Sequence, residues 1–374
     1  MAGEASGDLH GANLASALKS QRPDIELIGL GGQRMQAAGV ELLQGIERLD
    51  IIGLPSPAQL RRVVQTYRTL AGILRHIEID GVVFIDNPGL NLRLARVAKA
   101  AGHRVAYYVA PQIWAWNQRR IHVIKRVVDL VLVILPFEER IYTEAGIKCR
   151  FVGHPMLDAV SSTPDRASCR KALGIDEEVK LVGLFPGSRE REVRTLLPVM
   201  LQAAERLDQQ GKARGVALKF VLAHAPSVPM AVLDAALAGA TVPIEVQSRH
   251  NYEIMAAADV LLVASGTATI EAAASETPMV LLYRTSPLSA LLGRWLIKVR
   301  FIGLVNLVAG RAIVPELVQE GLTVERLCRE AERLLYDAKA HAGMKAALAA
   351  VHRLLGAPGA SGRAASAILE EFKL

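Results

Sequence analysis

The 374-residue chain is 51% hydrophobic and carries 44 Lys and Arg against 37 Asp and Glu, a net charge of +7. At roughly 150 residues per domain this length suggests two packed cores, and the basic balance favours an anionic partner such as a nucleotide or a phospholipid surface. Three dispersed cysteines argue against a disulfide framework or a zinc site and suit a reducing cytoplasm, while 5% aromatics without an RNA-binding motif put nucleic acid last among partners.

The first residues show no basic segment followed by an apolar one, and no apolar run reaches the ~20 residues that span a bilayer, so neither export by a leader nor a membrane span is expected. GEASGDLHGANL (residues 3 to 14) reads as a glycine-containing turn followed by a helix beginning near Asp8. Its backbone N–H groups suit an anion or a sugar hydroxyl, and Asp8 suits a helix cap. Such a turn normally follows a strand, yet only Met1 and Ala2 precede Gly3, so the opening strand of a doubly wound domain is expected to be missing. Residues 51 to 75 set Leu60, Val63, Val64, Leu70 and Leu74 among Arg61, Arg62, Arg68 and Arg75. That pattern fits a basic amphipathic helix lying on anionic lipid, or a core-facing helix with solvated arginines.

Gly81 to Ile85 is a short β-branched run of the kind buried in a parallel sheet, and Pro88 and Gly89 end it. Asp86 therefore stands at a strand's carboxyl end, where open α/β sheets bind ligands; it equally suits a turn or a cap for the helix that follows. YYVAPQIWAWNQRRIHVIK (107 to 125) pairs Trp114 and Trp116 with Arg119 and Arg120, for stacking on a sugar or for core packing. In FVGHPMLD, His154 is either structural or catalytic.

Strand-like runs recur at Arg104 to Ala110, Leu130 to Leu135 and Arg150 to Gly153, then at Leu181 to Phe185, Leu218 to Ala223, Asp259 to Ala264 and Met279 to Tyr283, alternating with helix-like segments. Two such series predict two α/β domains, with Asp158 to Asp165 as the linker. We place the first domain at 1–158, completed by a C-terminal helix at about 345–374, and the second at 159–344.

Two turns of the second half carry chemistry. In LFPGSREREV, Gly187, Ser188 and Arg189 follow a strand and precede a helix, so backbone N–H, hydroxyl and guanidinium converge as a diphosphate requires. In VASGTATIEAAASETPMVL, Ser265, Gly266 and Thr267 repeat the pattern, and Glu271 shares a helix face with Thr267, where it either accepts ribose hydroxyls or faces solvent. Residues 286 to 301 set Leu291, Leu292, Trp295 and Leu296 beside Arg294, Lys298 and Arg300, a second stretch suited to lipid or to core. From Val324 onward the chain reads as helical, with a break at Gly356 to Gly362.

Taken in order, GEASGDLHGA, the Asp86 strand end, YYVAPQIWAW, LPFEERIY, FVGHPMLD, FPGSRE, ASGTATIEA and LVNLVAGR resemble the lipid-A-disaccharide synthase family over nearly the whole chain. The resemblance implies a GT-B glycosyltransferase: two Rossmann-like, doubly wound domains facing across a cleft. It implies that UDP-2,3-diacylglucosamine is joined to 2,3-diacylglucosamine 1-phosphate through a β(1→6) bond, with UDP released. By position it makes Asp86 the general base, Arg189 the diphosphate arginine, Glu271 a nucleotide contact and Asn306 a neighbour of the nucleotide, with Glu4 and Ser6 also binding substrate. No metal or cofactor is implied, in keeping with the lack of a DxD-type carboxylate pair. Some relatives carry a second aspartate where this chain has Gly89. The implied setting is cytoplasmic and peripheral, on the inner face of the membrane, and the basic amphipathic pattern of residues 51 to 75 suggests docking through Leu60, Arg61, Arg62, Val63 and Val64; a homodimer is left open. Another UDP-sugar enzyme, an epimerase or envelope transferase, would share the phosphate turns, and a non-catalytic nucleotide-sugar-binding membrane adaptor would have no use for Asp86.

Overall fold

The computed structural model describes residues 1–2, 5–43, 57–115, 118–286 and 300–374. They divide into two compact units, Met1–Pro155 with Gly356–Leu374, and Met156–Leu355.

The first unit holds β1 (Ile28–Gly29), β2 (Glu41–Leu42), β3 (Gly81–Ile85), β4 (Arg104–Tyr108), β5 (Leu130–Val133) and β6 (Cys149–Phe151). Strands β3 to β6 form a parallel sheet in that order, and β1 pairs with β2 in parallel. Burial on both faces explains the continuous apolar runs. Val82, Phe84, Val105 and Tyr107 pack with Leu70, Leu74 and Leu94 from helices Pro57–His76 and Pro88–Ala100. Their neighbours Ile85, Ala106 and Tyr108 pack with Leu14 and Leu18 of helix Ala5–Gln21 and with Ile368 and Phe372 of helix Ala360–Phe372.

The opening strand expected to be missing has a short stand-in. Ala2 bridges Ile85 in parallel and donates its N–H to Leu30 O at 2.9 Å, while Ile85 N–H donates to Met1 O at 3.0 Å. The Met1 amine donates to Val83 O at 2.6 Å, and burial pushes its pKa down to about 5. A cavity of about 520 Å³ adjoins it, lined by Leu14, Leu18, Leu70, Leu74, Val82 and Phe372 among others.

The second unit holds β7 (Lys180–Phe185), β8 (Leu218–Ala223), β9 (Ile244–Gln247), β10 (Val260–Ala264), β11 (Met279–Tyr283) and β12 (Glu316–Val318), all parallel in the order β12-β11-β10-β7-β8-β9. The chain winds outward from β7 to β9 and then reverses at β10, the Rossmann order, so the crevice for a ligand falls outside the carboxyl ends of β7 and β10. The stretch read as a linker is helical at Leu157–Ser161, and Asp165 caps helix Arg166–Ala172 by accepting from Ser168 N–H at 2.9 Å. The return to the first unit falls at Gly356.

Both sheets share one anchoring device at their amino ends. Asp129 precedes β5, accepts the Val105 N–H at 2.8 Å and pairs with Lys99 at 2.5 Å. Asp259 precedes β10, accepts the Leu181 N–H at 2.8 Å, and pairs with Lys180 at 3.1 Å, Arg166 at 3.2 Å and Arg170 at 3.5 Å. Each aspartate thus satisfies the N–H of the second residue of the neighbouring strand and draws a cation onto it.

Candidate functional site

At the carboxyl edge of the first sheet the backbone takes an uncommon course. Asp86 (φ 51°), Asn87 (φ 41°) and Val109 (φ 55°) lie in the left-handed region, which costs side-chain-bearing residues about 1–3 kcal/mol each and persists only where surroundings impose it. Here Tyr107 Oη donates to Asp86 O at 2.6 Å, and Asn91 Nδ2 donates to Asp86 O at 2.8 Å and to Ile85 O at 3.1 Å. These bonds fix the turn that carries the Asp86 carboxyl. Burial pushes that carboxyl above the usual aspartate range, against a smaller lowering by the Asn87 N–H. A carboxylate raised in this way is a better proton acceptor than one in water.

Neighbouring residues bear on several open readings. Helix Ala5–Gln21 begins before Asp8, and Asp8 instead caps the next helix, accepting from Gly32 N–H at 2.6 Å and Met35 N–H at 3.2 Å. Ser6 is exposed in the first turn of that opening helix; Glu4 lies outside the described residues. Trp114 is held by the chain itself: its Nε1 donates to Glu138 at 2.9 Å, and its ring meets Phe137 edge-on at 5.1 Å. Glu138 is buried, which pushes its carboxyl up to about 7. Trp116 lies outside the described residues. His154 is buried and its pKa falls to about 3, first from burial and then from nearby His10, so its imidazole is neutral at physiological pH.

In the second unit, β7 exits into Pro186 and Gly187, whose φ of 115° suits glycine. Ser188 and Arg189 follow, both exposed, and helix Glu190–Ala213 begins. Ser227 Oγ donates to Ser188 O at 2.6 Å and pins the turn. Glu192, one helical turn on, accepts from Arg189 Nη1 at 2.7 Å and from Ser188 N–H at 3.2 Å. At the exit of β10, Ser265 Oγ donates to Ile302 O at 3.4 Å, and Gly266 and Thr267 are exposed ahead of helix Ala268–Ala274. Glu271 on that helix is largely withdrawn from water, which raises its pKa, and Tyr252 Oη donates to it at 3.4 Å. These two turns flank the switch of strand order between β7 and β10.

Asn306 spends its amide inside the chain. Its Nδ2 donates to Val314 O at 3.0 Å and Glu316 Oε1 at 2.8 Å, and its Oδ1 accepts from Ile313 N–H at 2.8 Å and Val314 N–H at 3.1 Å. Buried completely, it braces the segment ahead of β12.

Of the residues expected to face lipid, Arg61 and Val64 are exposed on helix Pro57–His76, while Val63 packs partly against the first core together with Leu70 and Leu74. The side chains of Leu60 and Arg62, and all of residues 287–299, lie outside the described residues. Among the described residues no helix is long and apolar enough to cross a membrane. Sequence reasoning missed Tyr107, Asn91, Glu192, Tyr252 and Glu316. Only Glu192 had a usable signal, its one-turn spacing from Arg189; Tyr252 and Glu271 are separated by 19 residues that folding alone brings together.

A family model described as lipid-A-disaccharide synthetase matches residues 1–361. The chain is 41% identical over 372 residues to a lipid-A-disaccharide synthase of Myxococcus xanthus, covering 99% of this chain and 96% of that one. Among solved structures it resembles a UDP-N-acetylglucosamine 2-epimerase of Listeria monocytogenes, itself described as putative (TM-score 0.65, 15% identity, covering 99% and 95% of the two chains). It also resembles S. aureus MnaA in a co-structure with UDP (TM-score 0.65, 14% identity, covering 98% and 94%). At such identities the likeness is one of fold: two Rossmann-like α/β units of the GT-B class.

Proposed function

This chain belongs to the lipid-A-disaccharide synthetase family, and from that premise we propose how a glycosyltransferase of lipid A disaccharide synthesis distributes its chemistry over these residues. The donor is UDP-2,3-diacylglucosamine, the acceptor 2,3-diacylglucosamine 1-phosphate, and the products are the β(1→6)-linked disaccharide 1-phosphate and UDP. Asp86 takes the proton from the acceptor 6-hydroxyl as that oxygen attacks the anomeric carbon. The Gly187–Arg189 and Ser265–Thr267 turns receive the diphosphate, and Arg189 stabilises the charge that grows on it as the glycosidic C–O bond breaks. Glu271 accepts the ribose hydroxyls, and Asn306 positions the nucleotide side indirectly through the segment it braces. Glu4 and Ser6 belong to the acceptor side. The observation that carries this reading is that the turns leaving β7 and β10, Gly187–Arg189 and Ser265–Thr267, flank the switch of strand order in the second sheet. The test is mass spectrometry of the products from UDP-diacylglucosamine and diacylglucosamine 1-phosphate. A disaccharide 1-phosphate should appear together with UDP; epimerised sugar, or UDP binding without turnover, would overturn the assignment.

The substrates carry acyl chains, so the enzyme has to reach them at a bilayer surface. We propose that it docks on anionic lipid through the exposed face of helix Pro57–His76, where Arg61 and Val64 stand, with Leu60, Arg62 and Val63 beside them in sequence. Flotation with anionic vesicles should recover the protein at low salt and lose it as salt screens the cations. Val64→Ser with Arg61→Ser should weaken recovery further. Equal recovery with neutral vesicles would sink the idea.

A further inference from the structure

The turn assigned to the diphosphate is already occupied, by an anion of the chain's own. Glu192 spreads its carboxylate over the groups that would face phosphate oxygens. Oε1 meets Arg189 Nη1 at 2.7 Å, and Oε2 meets the Ser188 N–H at 3.2 Å. Gly187 makes room for it, because a Cβ there would stand 2.4 Å from Oε2. Two oxygens bridging a guanidinium and a backbone N–H is also how a phosphate would use the same donors. The pair is weak enough to yield. Arg189 is 58% exposed and Glu192 29% exposed, so water screens the pair and competes for both groups.

We propose that Glu192 is an internal competitor for the nucleotide diphosphate, an autoinhibitory contact that sets UDP affinity and hastens the departure of UDP once it is a product. This rests on the reading of Gly187–Arg189 as the phosphate turn. While the carboxylate sits there, only the fraction of molecules in which it has swung away can take up UDP, and the apparent affinity falls by that fraction. As Glu192 gives way, Arg189 exchanges a side-chain carboxylate for a ligand with more charge and more oxygens.

Calorimetry with UDP on the full chain tests this through Glu192→Gln, with Arg189→Ala as the companion. Gln keeps an oxygen for the Ser188 N–H, so the helix start is preserved while the competing charge is gone. Glu192→Gln should bind UDP about two- to five-fold more tightly than wild type. Glu192→Asp, which draws the carboxylate back by one methylene, should fall in between. Arg189→Ala should weaken UDP binding about 10- to 100-fold. A purely structural Glu192 cannot give a gain of affinity: its loss would lower the unfolding midpoint and leave UDP binding equal or weaker. Unchanged or weaker binding by Glu192→Gln, with Arg189→Ala impaired, overturns the competitor and spares the phosphate turn. Unchanged binding by Arg189→Ala overturns the phosphate turn, and the competitor with it.

Discussion

Asp86→Asn should lower turnover about 10²–10⁴-fold, the range seen when a positioned base is removed, while UDP affinity and the unfolding midpoint stay near wild type. Asn is the substitution that isolates the chemistry. It keeps the size of the side chain, and it tolerates the left-handed backbone at φ 51°, where most residues would add strain. The hydrogen bonds from Tyr107 and Asn91 reach the main-chain carbonyl, so they survive the change. The pH dependence supplies a second readout. Burial raises the Asp86 pKa, and a base works only when deprotonated, so wild-type kcat/KM should fall as pH drops through that raised value. The variant should lack that limb. Wild-type turnover in Asp86→Asn would remove the residue from the mechanism.

Asp259→Ala should cost about 3 kcal/mol of stability. Its carboxylate serves the Leu181 N–H, Lys180, Arg166 and Arg170, and the Arg170 side chain is only 7% exposed. Removing the acid strands a buried guanidinium, although the carbonyls of Ala257 and Asp176 still accept from Arg170 and limit the loss. Lys180 and Arg166 keep enough water to contribute little. The urea midpoint should fall with the slope unchanged. Asp259 sits at the amino end of its strand and the turns proposed for the diphosphate at carboxyl ends, so UDP affinity of the folded variant should hold. An unfolding free energy within about 0.5 kcal/mol of wild type would show that the cluster is solvated rather than structural.

The legible parts of the fold were those in which one strand buries both faces. Gly81 to Ile85, Leu181 to Phe185 and Met279 to Tyr283 announce themselves because nothing polar is tolerated between two layers of helices. The short strands β1, β2 and β12 and the edge strand β9 escaped. Ile244, Glu245, Val246 and Gln247 are all only half-buried, so water tolerates charge there and the apolar signal fades. At the site, what the chain states locally was readable: a strand, a Pro-Gly or Ser-Gly turn, and a polar residue at a helix start. What the chain states only through folding was not. Nothing near Asn306 in sequence says that its amide is consumed by Val314 and Glu316, and nothing near Asp8 says that it caps a helix beginning at Gln33 rather than its own. Trp114 was ambiguous for the same reason, since its partner Glu138 lies 24 residues on.

The three cysteines have a practical bearing on the lipid question. Cys149, Cys169 and Cys328 are all buried. Burial pushes the thiols up, Cys149 to about 12 and Cys328 to about 11, and Cys169 in the same direction. Maleimides and oxidants attack the thiolate, so the folded chain offers them almost nothing at neutral pH. A single cysteine in place of Val64, which is 41% exposed, would then be the one handle on the surface that a dye can find. A polarity-sensitive fluorophore coupled there would read directly whether that helix face meets hydrocarbon or water, with no background from the native thiols and no need to strip them out first.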